Sequence, residues 1–230
     1  VLQDPATIPA PTYEGHKIAI VYSATTSANY FNDMAYSQLV MTAQSQAMAA
    51  GIPYDLITEA DLTNIAKLAT YDALVFPSFA NVPANYQQIA DTLNDYVYNY
   101  HKSIITAGDF MTNDAAGNAL PGDSYARMES LLGLHRTGGA SGVTIDVFGA
   151  GDNPLTSGYG TDGLIHSYTN TATSYFDAIN PGFGDVTTLA TQVVGGASYA
   201  AVIGSVTGAR NVTFATDALL ADDNLLGKAI

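Results

Sequence analysis

The chain has 230 residues, enough to bury a core without covalent help, and 47% of them are hydrophobic against 12% charged. Twenty-one acids against seven Lys and Arg give a net charge of −14, which argues against nucleic acid and against an anionic membrane surface as partners. No run approaches the ~20 apolar residues of a spanning helix. Cysteine is absent, which removes disulfides, thiolate metal sites and cysteine nucleophiles together.

Three of the acids are Glu14, Glu59 and Glu129 and the rest are Asp, so the acidity suits turns and helix caps more than long helix faces. A low-charge, cysteine-free composition rich in Asp, Gly, Thr and Tyr points to a secreted, extracellular protein. With Val1 in place of a Met start and an abrupt end at Ile230, the chain reads as a domain of a longer polypeptide.

Residues 1–16 form a Pro-punctuated arm (Pro5, Pro9, Pro11), and residues 17–230 are expected to make a single α/β domain. Lys17–Tyr22 is a short, continuous apolar run, as a strand buried on both faces should be. Ser23–Asn32 reads as a polar loop, and Asp33–Ala50 as a helix stopped by Gly51. A strand at Tyr54–Ile57, a short helix at about Ala60–Leu68 and a strand at Ala73–Phe76 follow. Pro83 opens a helix over Asn85–Tyr100, with Ile89, Leu93, Tyr96, Val97 and Tyr100 on one apolar stripe. The next strand is Ser103–Ala107. This alternation predicts right-handed crossovers and a doubly wound parallel sheet of the flavodoxin or amidotransferase kind.

From about 138 to 208 the chain turns to Gly, Thr, Ser and Tyr, with alternating runs at Val143–Phe148, Ile165–Tyr168, Thr187–Val194 and Tyr199–Ile203. These predict antiparallel strands, a β-rich insertion packed on the α/β unit. Asn211–Thr216 is expected to return to the main sheet, with a terminal helix or cap after it.

In an open parallel sheet the ligand sits beyond the carboxyl ends of the strands. The loops there carry the candidate ligand-binding residues Thr25, Asn29, Tyr30, Asn81, Asp109, Phe110 and Asn113, and Asp217 follows the last strand. Hydroxyls, amides, aromatics and a few carboxylates with almost no cations suit a neutral polyol better than a phosphate. Asp109 and Asp114 could act as an acid/base pair or gather a cation with Asn113, but Asn113–Asn118 also has the composition of a turn, which is the preferred reading. Gly158–Gly163 fits the dinucleotide pattern by letter, but not in its context. Ser157–Leu164 approximates one calcium nonapeptide and offers at most a single Ca site, so no cofactor is expected. The histidines 16, 101, 135 and 166 have no ligand-spaced partners, and Asn211 heads a glycosylation sequon within a predicted strand. No Walker A, His-Glu-x-x-His or nucleophile-elbow motif is present.

Tyr71–Ser78, the helix ending in Tyr96-Val97, Ser103–Asp109, Asp114-x-x-Gly117-Asn118-x-x-Pro121, Leu131–Leu134 with Gly138, and Gly208–Thr216 together resemble the class I glutamine amidotransferase-like domain. The similar versions are the trimerisation domain of family 42 β-galactosidases and a domain of extracellular polysaccharide deacetylases. Active members of that family place a Cys in the tight turn after the fourth strand, whereas this stretch is Thr106-Ala107-Gly108-Asp109-Phe110. The resemblance therefore implies a non-catalytic carbohydrate-binding or accessory domain of a polysaccharide-processing enzyme. Its partners would be a polysaccharide, with an amino-glycan the sharper expectation, and other domains of the same polypeptide. A glycan hydrolase using Asp109 with Asp114 or a histidine, and a purely structural or oligomerising domain, are the alternatives.

Overall fold

The computed structural model describes residues 15–30, 33–178, 185–221 and 225–230. Apart from Gly15 and His16, the N-terminal arm lies outside them. The protein is α/β, built on one nine-stranded sheet of order β2-β1-β3-β5-β11-β10-β9-β7-β8. Its first five neighbours are Tyr54–Thr58 (β2), Ile18–Tyr22 (β1), Ala73–Phe76 (β3), Ser103–Ala107 (β5) and Arg210–Phe214 (β11), all parallel. The remaining four are Ala197–Val206 (β10), Val186–Val194 (β9), Leu134–Gly149 (β7) and Leu164–Ala178 (β8), paired antiparallel.

These four strands extend the main sheet, so the β-rich segment expected to pack on the α/β unit joins it edge to edge. Strand β11 explains the difference. It enters beside β5, pairing Thr213 with Thr106, and offers its other edge to β10, pairing Phe214 with Val202. An open edge of backbone donors and acceptors is satisfied most fully by another strand.

Two apolar cores flank the sheet. On one face Leu62, Leu68, Ile89, Leu93, Tyr96, Val97, Met128 and Leu131 pack against Leu74, Phe76 and Ile104. On the other, Tyr36, Leu39, Val40, Ala43 and Ala47 of helix α2 (Asp33–Ala49), with Leu219, Leu220, Leu225 and Leu226, cover Ile18, Ile20, Val75 and Ile105. No helix among the described residues is long and apolar enough to cross a membrane.

Several local expectations are revised. Part of the loop after β1 is a helix, α1 (Ala24–Asn29), because the Ser23 hydroxyl accepts from Thr26 N and caps it. The expected helix at 60–68 is a 3-10 turn (Glu59–Thr63) and a short α3 (Ile65–Leu68), divided at Asn64, whose side chain caps the second piece. Helix α4 (Tyr86–Asn94) widens into a π-turn at Asp95–Asn99. There Tyr100 N reaches back five residues to Asp95 O, so Tyr96 and Val97 stay buried while Tyr100, expected on the same stripe, is exposed. Phe79–Asn81 (β4) and Phe110–Asn113 (β6), expected as loops, pair as a small parallel sheet. Helix α5 (Ala126–Leu132), closed by left-handed Gly133, was not anticipated.

Candidate functional site

Three parallel strands end at one place for three local reasons. Pro77 follows β3 and cannot donate to a ladder. Gly108 follows β5 with φ +65°, a left-handed turn that glycine adopts without penalty, and its N–H donates to Phe214 O at 2.8 Å. Thr216 follows β11 and caps α6 (Asp217–Leu220) by accepting from Ala218 N. Above these ends lies a pocket of about 760 Å³, within the range of small-molecule sites. Its floor comes from Ser78, Ala107–Asp109 and Ala215–Asp217, and its wall from the β7–β8 hairpin through Arg136, Gly139–Gly142 and Asn170–Ser174.

Asp109 is the charged centre of the pocket. Its Oδ1 lies 2.8 Å from Arg136 Nε and accepts from Ser174 Oγ at 2.9 Å. Arg136 Nε also donates to Ser174 Oγ at 3.2 Å and its Nη1 to the Tyr125 hydroxyl at 3.3 Å. The pair is only about one-quarter exposed, so its charges are matched in a partly desolvated setting. Asp217 sits in the same pocket, and desolvation raises its carboxyl above the ordinary range despite its backbone hydrogen bonds. Arg136 is the one cation in the lining, and it neutralises Asp109. Asn170 adds an amide on a left-handed residue, φ 52°, beside the ladder irregularity between Ala140 and Val143.

The sequence-predicted residues divide into three groups. Asp109 alone of the seven lines the pocket. Phe110 is fully buried, its ring edge-on to Phe76 at 5.0 Å and tilted on Phe79 at 5.8 Å, so it offers no surface to a ligand. Of the others, Asn29, Asn81 and Asn113 border the turn at 114–118, while Thr25 and Tyr30 have other partners. Asn29 donates its amide to Thr25 O and Ala115 O, and Asn81 is buried and donates to Asp114 O. Asn113 accepts from Val82 N through its backbone carbonyl. Thr25 gives both its N–H and its hydroxyl to Glu59, which also accepts from Ser23 Oγ at 2.7 Å. The Tyr30 ring sits edge-on to Tyr36 at 5.5 Å. These amides and hydroxyls hold the loops together, leaving little to offer a ligand.

Asp114 belongs to that turn. Its Oδ1 accepts from Ala116 N and Asn118 N, and the Asn118 backbone bond is the leading cause that lowers its pKa. It does not line the pocket, and neither does any described histidine, so the pairing of Asp109 with Asp114 or a histidine is not assembled. Among the described residues no three His, Asp or Glu side chains converge as metal ligands. Asn211, head of the sequon, is buried and donates to Leu131 O and Thr207 Oγ1. Sequence reasoning missed Arg136, Gly139, Asn170 and Ser174. All lie on strands β7 and β8, and the sequence carries no signal of which strand ends they approach.

Gly108 completes the site. It occupies the turn after β5 where the resemblance places a nucleophile, and a Cβ there would meet nothing within 4 Å. The turn points a side-chain position at open space and the residue supplies none.

Neither a family model nor a curated protein sequence matches the chain. Solved structures do. A cold-adapted β-galactosidase from Rahnella sp. R3 superposes with a TM-score of 0.67 at 16% identity over 93% of this chain. The match takes in 30% of that protein, so the chain spans under a third of its length. A ThuA-like protein from Bacteroides uniformis gives 0.61 at 15% identity, covering 95% of this chain and 91% of that one. The carbohydrate deacetylase Agd3 gives 0.51 at 14% identity, covering 87% and 29%. The chain thus shares its fold with parts of these proteins, in keeping with its resemblance to the class I glutamine amidotransferase-like domain, and has glycine and aspartate in the turn after β5 and no cysteine.

Proposed function

We propose that this chain is a non-catalytic glycan-binding module of an extracellular polysaccharide-processing enzyme. In this reading the sheet is a doubly wound, flavodoxin-like scaffold that presents its ligand at the strand ends. The observation that carries the reading is the pocket over β3, β5 and β11, lined by Ser, Thr, Asn, Gly and Ala, by Asp217 and by an internally neutralised Asp–Arg pair, with Gly108 where a nucleophile would stand. Hydroxyls and amides satisfy sugar hydroxyls as donors and acceptors. The neighbouring β-galactosidases and deacetylase, named for carbohydrate chemistry, support a glycan-processing context.

Arg136 changes the preferred sugar. A bare Asp109 would favour a cationic amino-glycan, whereas the matched pair removes that preference and leaves Asp217, whose carboxyl burial pushes toward the neutral acid, as the remaining acid of the pocket. Calorimetric titration of the chain with galactotriose, triacetylchitotriose and the fully deacetylated chitosan trimer tests this. Dissociation constants tighter than about 1 mM, or about −4 kcal/mol, are expected for a neutral trisaccharide, with the cationic trimer weaker. Flat titrations with all three would sink the proposal.

A structural or oligomerising role is the second reading. Met41 and Met48, 63% and 67% exposed, lie two turns apart on α2, which has no charged residue between Met34 and Ala50.

A further inference from the structure

The Asp109–Arg136 pair is built asymmetrically. Both donors to the carboxylate fall on Oδ1, and among the described residues no hydrogen bond engages Oδ2. Arg136 spends Nε on Asp109 and Ser174 and Nη1 on Tyr125, while Nη2 has no hydrogen bond among the described residues. The acceptor atom Oδ2 and the donor atom Nη2 are therefore left unused on two side chains that are paired and line the same pocket.

Gly139 explains how the guanidinium fits. A Cβ at this position would lie 2.5 Å from Arg136 Nη2 and 2.8 Å from Thr173 O. Gly139 is not in the left-handed region, unlike Gly142 at φ +65°, so the backbone does not require glycine there. The space does. The guanidinium lies where a side chain on the neighbouring part of the hairpin would otherwise be.

We infer that Asp109 Oδ2 and Arg136 Nη2 form a clamp for two adjacent hydroxyls of a neutral sugar, and that Gly139 is a positioning residue that holds the clamp open. This rests on the glycan-binding reading and narrows it to a ligand with a vicinal diol. A hydroxyl both donates and accepts. In the clamp one hydroxyl donates to Oδ2, and its neighbour accepts from Nη2. Charge-assisted bonds of this kind are the stronger ones, and a planar fork fixes their direction.

The test is calorimetric titration of the intact chain and its variants with two probes. Galactotriose carries adjacent 2- and 3-hydroxyls on its rings. Triacetylchitotriose has an acetamido group in place of the 2-hydroxyl but keeps adjacent 3- and 4-hydroxyls on its non-reducing terminal ring, so it too can enter the clamp there. The clamp predicts that Asp109→Asn and Arg136→Lys each lose about tenfold or more in galactotriose binding, since a site built to hydrogen-bond a hydroxyl is penalised when one partner is missing. Gly139→Ala weakens galactotriose binding, and the part of that loss due to the guanidinium is absent once Arg136→Ala has been made, leaving only the crowding of Thr173 O. If the wild-type chain binds none of the trisaccharides, the glycan reading and the clamp fall together. If it binds but Asp109→Asn and Arg136→Lys bind as wild type, the clamp alone is overturned.

Discussion

The parallel and antiparallel halves of the one sheet differ in what their side chains do. In the parallel half, β3 is buried at every position and β1 at all but its last, with a core on each face. In the antiparallel half, β7 runs through exposed and half-buried Arg, Thr, Gly and Ser before its apolar end at Ile145–Phe148. The first half supplies rigid strand ends. The second supplies the polar groups that reach over them. Strand β11 joins the two, so a pocket floor buried on both faces meets a wall that can vary without exposing the core.

The largest effect that would break this contrast lies where the small β4–β6 sheet packs on the parallel half. Phe110 packs in a three-ring cluster with Phe76 and Phe79 behind the pocket, and Phe110→Ala should cost about 3–5 kcal/mol in urea unfolding. A loss below about 1 kcal/mol would mean that the rings do not anchor the strand ends.

A smaller, pH-dependent effect is expected where the halves meet. Because burial raises the Asp217 carboxyl, the folded state prefers it protonated. That contribution to stability is complete below the ordinary carboxylate value and is lost as pH rises through the raised one. Asp217→Asn cannot ionise, so it should melt above wild type at pH 7, with the gap closing toward pH 3. Equal melting temperatures at both pH values would remove Asp217 from the account.

The smallest effect belongs to the antiparallel edge. Thr169 on β8 is exposed, and Thr169→Ala should change stability by no more than about 0.5 kcal/mol. A cost several times larger would show that this edge carries structural weight.

Much of the parallel half was legible without coordinates. Continuous apolar runs at Ile18–Tyr22, Ala73–Phe76 and Ser103–Ala107 are strands, and Gly51 and Pro77 end the elements before them. These signals are local, carried by burial on both faces and by backbone restrictions of single residues. Asp109 was legible for the same reason, because it follows a recognisable strand. Phe110 was misassigned because its neighbours Phe76 and Phe79 come from other strands.

The sequence by itself determined the α/β class, the strand ends at which a ligand would sit, and the absence of a cysteine nucleophile. Only the tertiary structure decided that β7 and β8 extend the sheet, that Arg136 neutralises Asp109, and that Gly139 makes room for it. Residues 109, 136 and 174 are brought together by pairing across long sequence separations. That pairing depends on which open strand edge is free, a property no stretch of residues carries alone.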